Sequence, residues 1–359
     1  MYNIIDYIKW RGDLSFTDTP FNEVDNLIFT QLSYLDFADI VPLKLTESVT
    51  LKEAWDKYTK IGRKPDSVIL PEEIYGMFME MAKTARFSEI RLSGYVSNHD
   101  EATEKQFAAI TINFGKKVYV SFRGTDDSLI GWKEDFNLAF MESVPAQRDA
   151  ASYLNRVMRD IMFYPVYIGG HSKGGNLSLY AAMHCKKIYK RRIKGIYTND
   201  SPGFLEKVVE SREYKEAAAK MISIVPEGSV IGQLLNHGRS DDIIVKCESS
   251  MLRQHDPFTW QVLQNEFVRA AGLNEKSLMV DEVISSWLSG LSKEERESFA
   301  EAIFEFFTVS DAKNLKDIMD DKIGFLRALG KLSKETRKDI GKNIGQIVEQ
   351  IAKIKTRKE

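Results

Sequence analysis

Gly170-His171-Ser172-Lys173-Gly174 sets a serine midway between two glycines. Apolar Val166, Tyr167 and Ile168 precede it, and the good helix formers from Asn176 to Met183 follow it. Strand, sharp turn and helix is the context that makes such a pentapeptide a nucleophile elbow. A side chain two residues either side of the serine would strike the neighbouring strand or helix, which accounts for Gly170 and Gly174. The Ser172 hydroxyl then stands at the end of a sheet, faced by backbone N–H groups and the positive end of the following helix. The plainer alternative is a glycine-rich turn with a serine N-cap.

A serine hydroxyl is a poor nucleophile at neutral pH and needs a base within hydrogen-bond reach. The chain has five histidines. His99 falls in a predicted turn ahead of the main sheet, and His171 sits within the elbow, where its ring packs sideways. His184 lies about three turns down the elbow helix. That leaves His237 and His255, both late enough for the chain order serine, acid, histidine. His255 follows the last predicted strand by a short loop and is the preferred base. The acid must hold the imidazole tautomer. Glu227 follows the predicted strand 221–225 and is preferred; Asp200, after the strand 194–198, is the alternative. Asp241 and Asp242 open a strand and rank third. An oxyanion hole needs two donors: the backbone N–H of Lys173, and the loop Arg123-Gly124-Thr125 after an earlier strand. Thr125 offers both an N–H and a hydroxyl.

These residues need a sheet to hold them. Arg91–Val96 predicts a strand, Asn98–Asp100 a turn, and 106–114 with 117–122 an antiparallel hairpin. Ala150, Tyr153, Leu154, Val157, Met158 and Ile161 share one face of a helix leading into the elbow strand. Strands at 194–198, 221–225 and 242–247 alternate with helices, which predicts a largely parallel sheet with helices on both faces. Residues 1–86 are mostly helical by pattern, with Pro71 opening a helix, and are expected to pack on the core. The core itself is expected over 87–272, with a helical region over 273–359. Beyond His255 the pattern predicts helices only, at 258–271, 278–289, 292–308, 312–329 and 333–355, with Ser292 and Glu295 as a capping box.

The chain has 359 residues, 43% of them hydrophobic, and a formal net charge of −2. That charge gives no reason to expect a nucleic-acid partner. Cys185 and Cys247 make no disulfide or metal pattern. No signal peptide and no spanning helix are evident, so the expected location is the cytoplasm. The basic run Lys186 to Lys194 is expected to be a solvated helix end. The lysine-rich tail carries a stripe of Ile340, Ile344, Ile347 and Ile351 suited to packing, or to an anionic membrane surface.

Phe122-Arg-Gly-Thr125 ahead of Gly170-His-Ser-Lys-Gly-Gly175 resembles the class 3 lipase group of α/β-hydrolases. The opening Asp6-Tyr-Ile-Lys-Trp-Arg-Gly-Asp13 with Phe21-Asn-Glu-Val-Asp25, and the late Gln254-His-Asp-Pro-Phe-Thr-Trp260, resemble a bacterial lipase-like family of unknown function, over about residues 1 to 270. The resemblance implies Ser172 as nucleophile, His255 as base, and Thr125 with Lys173 as oxyanion donors. It implies leucine at position 173 and an aspartate where Ser229 stands; the chain departs from it at both. The Lys173 charge is expected either to favour an anionic substrate or to lie in solvent. The expected activity is serine hydrolysis of a carboxylic ester or thioester, on a small-molecule or lipid substrate, with no metal or cofactor. The alternative is a weak or inactive hydrolase-fold scaffold. A third reading, a peripheral membrane lipase, needs an exposed apolar face.

Overall fold

The computed structural model describes residues 2–64, 70–126, 128–238, 241–249, 251–309, 328 and 330–358. Among them, eight strands form one sheet in sequence order: β1 (Val49–Thr50), β2 (Arg91–Asp100), β3 (Lys105–Phe114), β4 (Lys117–Phe122), β5 (Val166–His171), β6 (Ile193–Asn199), β7 (Met221–Pro226) and β8 (Ile243–Val245). The first four pair antiparallel, and β4 through β8 pair parallel. β2 runs on through Asn98–Asp100, where the sequence predicts a turn, because His99 and Asp100 pair with Gln106 and Lys105 of β3.

The described residues hold twelve helices: α1 (Ile4–Arg11), α2 (Glu23–Leu32), α3 (Leu51–Lys60), α4 (Pro71–Ala82), α5 (Leu129–Asn137), α6 (Pro145–Asp160), α7 (Lys173–Met183), α8 (Glu206–Val209), α9 (Arg212–Ala218), α10 (Glu275–Ser289), α11 (Lys293–Val309) and α12 (Lys334–Lys358). Two apolar cores lie on opposite sides of the sheet. One gathers α1, α2 and α4 under Ile110, Ile112 and Tyr119. The other gathers α6 and α7 under Val118, Val120, Val166 and Ile168. Alternating side chains of one strand feed both, as the two-residue period of a strand demands. In α6, Ala150, Leu154, Val157 and Met158 fall three or four apart on the buried face. Leu154 is fully buried, so Leu154→Ala would cost about 2–5 kcal/mol. With a nucleophile elbow after β5, this is the α/β-hydrolase fold.

The N-terminal segment is locked in place by charge. Arg86 forks onto Asp25 (Nε–Oδ1 2.8 Å, Nη2–Oδ2 2.5 Å) and donates to the carbonyls of Leu14, Ser15, Thr19 and Pro20. Both side chains are buried, the setting in which breaking a pair costs most.

Residues 258–271 are not the predicted helix. Pro257–Thr259 is a single tight turn, and β9 (Val262–Leu263) pairs antiparallel with β10 (Glu266–Phe267). Their backbone is claimed by neighbours: Val262 N donates to Tyr2 O (2.8 Å), Gln261 N to Lys246 O (2.9 Å) and Lys246 N to Val268 O (2.8 Å). Trp260 is fully buried, and its indole N–H donates to Gln254 O at 2.8 Å. Tertiary pairing overrides a helical pattern here. The predicted helix 312–329 lies outside the described residues except for Ala328. Ala302, Phe306, Leu332 and Ile340 form a small apolar cluster among the C-terminal helices. The Ser292–Glu295 capping box opens α11. No helix among the described residues is long and apolar enough to cross a membrane.

Candidate active site

Ser172 sits between β5 and α7 with φ 56° and ψ −135°, a conformation sterically costly for any residue but glycine. The geometry closes only around glycine: a Cβ on Gly170 would lie 2.1 Å from the Gly174 carbonyl carbon. Gly124 matters for a second close approach, since its Cβ would come within 3.2 Å of Ser172 Cβ. The loop carrying Thr125 therefore lies directly against the serine.

Behind the elbow, Ser172 N donates to Asn199 O (2.9 Å), and the Asn199 amide donates to Gly170 O (3.0 Å). Asn26 of α2 donates to Asn199 Oδ1 (2.8 Å) and accepts from the Tyr119 hydroxyl (2.6 Å). The sequence predicts no functional residue in the first 86, yet α2 buttresses the turn. Its signal is a run of buried polar side chains: Asp25, Asn26, Thr30 and Gln31 are each 2% exposed or less. Polar groups buried on a core-facing helix must find partners.

His255 lies at the end of the 251–255 turn, and its Nδ1 is 2.6 Å from Asp200 Oδ2. The carboxylate on His255 is thus Asp200, the alternative of the two candidates, and not the preferred Glu227. The physical reason is local. Asp200 follows β6 with φ 43°, which turns its side chain under the histidine. Ser229 Oγ and Gly232 N (3.1 Å) donate to its other oxygen. Ser229, where the resemblance implies an aspartate, instead orients one. Glu227 is half-buried, and its backbone pairs with Val245 and Asn274.

His171 lies under His255, with ring centroids 4.4 Å apart. Its Nε2 donates to the His255 carbonyl at 2.8 Å, and a carbonyl can only accept, so Nε2 carries the proton. Nδ1 is left to accept from the Tyr34 hydroxyl at 3.4 Å. Burial first, and the His255 ring second, hold His171 well below the ordinary histidine pKa. It is a neutral spacer that fixes the backbone of His255. The remaining histidines are elsewhere: His99 on β2 contacts Asp126 (2.6 Å), His184 caps α7, and the His237 carbonyl accepts from the Tyr214 hydroxyl.

Lys173 corrects the sequence reading most sharply. Its side chain is fully buried, so its charge meets neither solvent nor an incoming substrate. Nζ donates to Gln106 Oε1 (2.7 Å) and Glu134 Oε2 (3.0 Å), and lies 3.8 Å from Asp135 Oδ1. Gln106 in turn donates to Gly124 O at 3.3 Å. Glu134, also fully buried, accepts from the backbone N–H groups of Gln106 and Ala146. The ammonium thus braces the loop bearing Thr125 from beneath. The backbone N–H of Lys173 is at the first position of α7, where helical N–H groups lack an intrahelical partner.

Thr125 Oγ1 donates to Asp135 Oδ2 at 2.5 Å, so its hydroxyl proton is committed to the carboxylate, while its N–H has no backbone partner among the described residues. Asp135 escapes the sequence analysis, because ten residues and a turn separate it from Thr125. Burial pushes its pKa up to about 6, against the opposing pull of the Lys173 ammonium and the Thr125 hydroxyl. No group of three or more His, Cys, Asp or Glu among the described residues could hold a metal ion.

Known structures offer distant parallels. The chain is similar to Lip2 lipase from Yarrowia lipolytica at 15% identity and a TM-score of 0.31, over 52% of this chain and 72% of that one. It is also similar to a lipase from Rhizopus microsporus var. chinensis at 13% identity and a TM-score of 0.33, over 65% of this chain and 80% of that one. A search of curated proteins finds no match. Residues 81–305, more than half of the chain, match the family model described as Mbeg1-like, and the chain belongs to the Mbeg1-like family.

Proposed function

We propose that this protein is a serine hydrolase of carboxylic esters or thioesters acting through an acyl-enzyme. One observation carries the reading: Asp200 lies 2.6 Å from His255 Nδ1, on a ring that packs against His171, the residue just before the strained Ser172 of the elbow. A retired hydrolase fold has no reason to keep a buried carboxylate on that ring. The scaffold alternative rests on a missing acid and on the long helical C-terminus, and Asp200 speaks against the first of these.

In this mechanism Ser172 Oγ attacks the acyl carbon while His255 Nε2 takes its proton. Asp200 holds the Nδ1–H tautomer and offsets the imidazolium charge. The developing oxyanion is met by the N–H groups of Lys173 and Thr125. The alkoxide or thiolate leaves with the proton from His255. Water, deprotonated by the same nitrogen, then attacks the acyl-enzyme; the acyl–Oγ bond breaks, Ser172 Oγ takes the proton back from His255, and the carboxylic acid is released.

A fluorophosphonate probe with intact-mass detection tests this. One adduct on the wild type, absent from Ser172→Ala, is the expected result. A folded wild type that does not label, and that hydrolyses neither short-chain nor long-chain esters, would overturn it.

A further inference from the structure

The other end of the sheet carries a surface that hydrolysis does not use. Between α6 and β5 the chain presents Met162, Phe163 and Tyr164, with relative exposures of 58%, 89% and 43%. Phe163 has φ 73°. Glycine or asparagine fits that turn at little cost, whereas a bulky ring there is strained and gains no burial inside the chain. Ile188, 71% exposed, adds to the apolar surface from the loop after α7.

Arg192 staples the two loops into one surface. Its guanidinium donates to the carbonyls of Met158 (2.7 Å), Ile161 and Tyr164 (3.0 Å). Around the apolar tip stand Lys186, Lys187, Arg191 and Lys194, all exposed and none in an ion pair among the described residues. Two nearby carboxylates already have partners: Asp160 meets Arg159 at 2.6 Å, and Glu216 meets Arg212 at 2.8 Å. Exposed Lys116, on the β3–β4 turn, lies alongside, since Val118 N donates to Pro165 O.

We propose that this end of the molecule docks on an anionic lipid bilayer, with Phe163 and its neighbours entering the headgroup layer and the surrounding basic residues meeting lipid phosphates. Composition and charge favour an anionic lipid surface over a protein partner. Met162, Phe163 and Tyr164 also border a cleft that reaches Leu45 and Arg91, but Phe163 itself stands out of it at 89% exposure, and Phe, Tyr and Met beside exposed lysines is the composition that settles at a bilayer interface. Unpaired cations then supply the preference for anionic lipid. β5 runs from this loop to the elbow, and six residues span about 20 Å. Docking therefore turns Ser172 away from the bilayer. The surface does not depend on the hydrolase reading, because it shares no residue with the site.

The full chain should be sedimented with phosphatidylcholine vesicles, with and without phosphatidylglycerol, and Ser172 labelling read in the same samples. The expected result is binding to the anionic vesicles alone, weakened by salt. Phe163→Ser, and separately the double change Lys186→Glu with Lys187→Glu, should each lower the bound fraction about tenfold, with thermal midpoint and Ser172 labelling unchanged. No binding, equal binding to both vesicle types, or binding that neither variant weakens would overturn the proposal. So would a dimer abolished by Phe163→Ser without any vesicle binding, since a second copy would then cover the tip.

Discussion

The two ends of β5 treat charge in opposite ways. At the elbow end the central charges are enclosed and answered: Asp200 by His255, Lys173 by Glu134. At the far end Lys116, Lys186, Lys187, Arg191 and Lys194 are exposed, with no ion pair among the described residues. Buried charge is expensive unless its partners are fixed, so it reports on geometry the fold must hold. Exposed charge is cheap to place and therefore says little about folding and more about what approaches. The contrast implies that substitutions at the elbow end will move rate and stability, and those at the far end will move neither.

The largest effect should come from the charge on the histidine. Asp200→Asn is expected to lower ester turnover about 10⁴-fold, short of the loss of about 10⁶-fold from Ser172→Ala, while Glu227→Gln leaves it near wild type. Single-turnover acylation measures all three. An inversion, with Glu227 essential and Asp200 dispensable, would break the comparison at its strongest point.

Next comes Lys173→Met. It strands the Glu134 carboxylate in the core and should cost about 3–5 kcal/mol in a denaturant titration, with much of that recovered by adding Glu134→Gln. Lys187→Met at the far end should leave the midpoint where it is. Thr125→Val keeps the N–H but frees the loop from Asp135; a fall of about 10²-fold in kcat with little change in KM is expected.

The smallest effect is a pH dependence. Asp135 has a folded pKa of about 6 against an ordinary 3.8, so its carboxylate weakens the fold once ionised. The penalty is absent below about pH 3.8, where both states are protonated. It grows between, and is complete above about 6. Asp135→Asn should accordingly raise the melting midpoint by about 2–4 °C at pH 7, and leave it unchanged near pH 4, in paired thermal scans.

Local rules make the elbow legible in the residue order alone. Gly170 and Gly174 are dictated by a close approach that any chain with this turn must make. The parallel strands after residue 147 are legible from their alternation with helices. The choice between Asp200 and Glu227 is not, since both follow a strand. What separates them is a positive φ at one residue and two donors, Ser229 and Gly232, brought from 29 and 32 positions away. The hairpin at 262–267 is hidden for a related reason: its apolar residues suit a helix, and only the backbone groups of Tyr2 and Lys246 decide otherwise. Lys173 misleads because a lone lysine in a sequence is almost always solvated. Its acceptors, Gln106 and Glu134, come from two other elements.

Asn26 meets Asn199 across 173 residues of chain. During synthesis the α2 helix emerges long before the strand it must brace, and its polar face stays wet until β6 has been made. Contacts of such separation close late in folding. The turn that strains Ser172 is thus held by a clasp whose first half is translated first and whose second half arrives only after the serine itself, which postpones a reactive hydroxyl until most of the sheet exists.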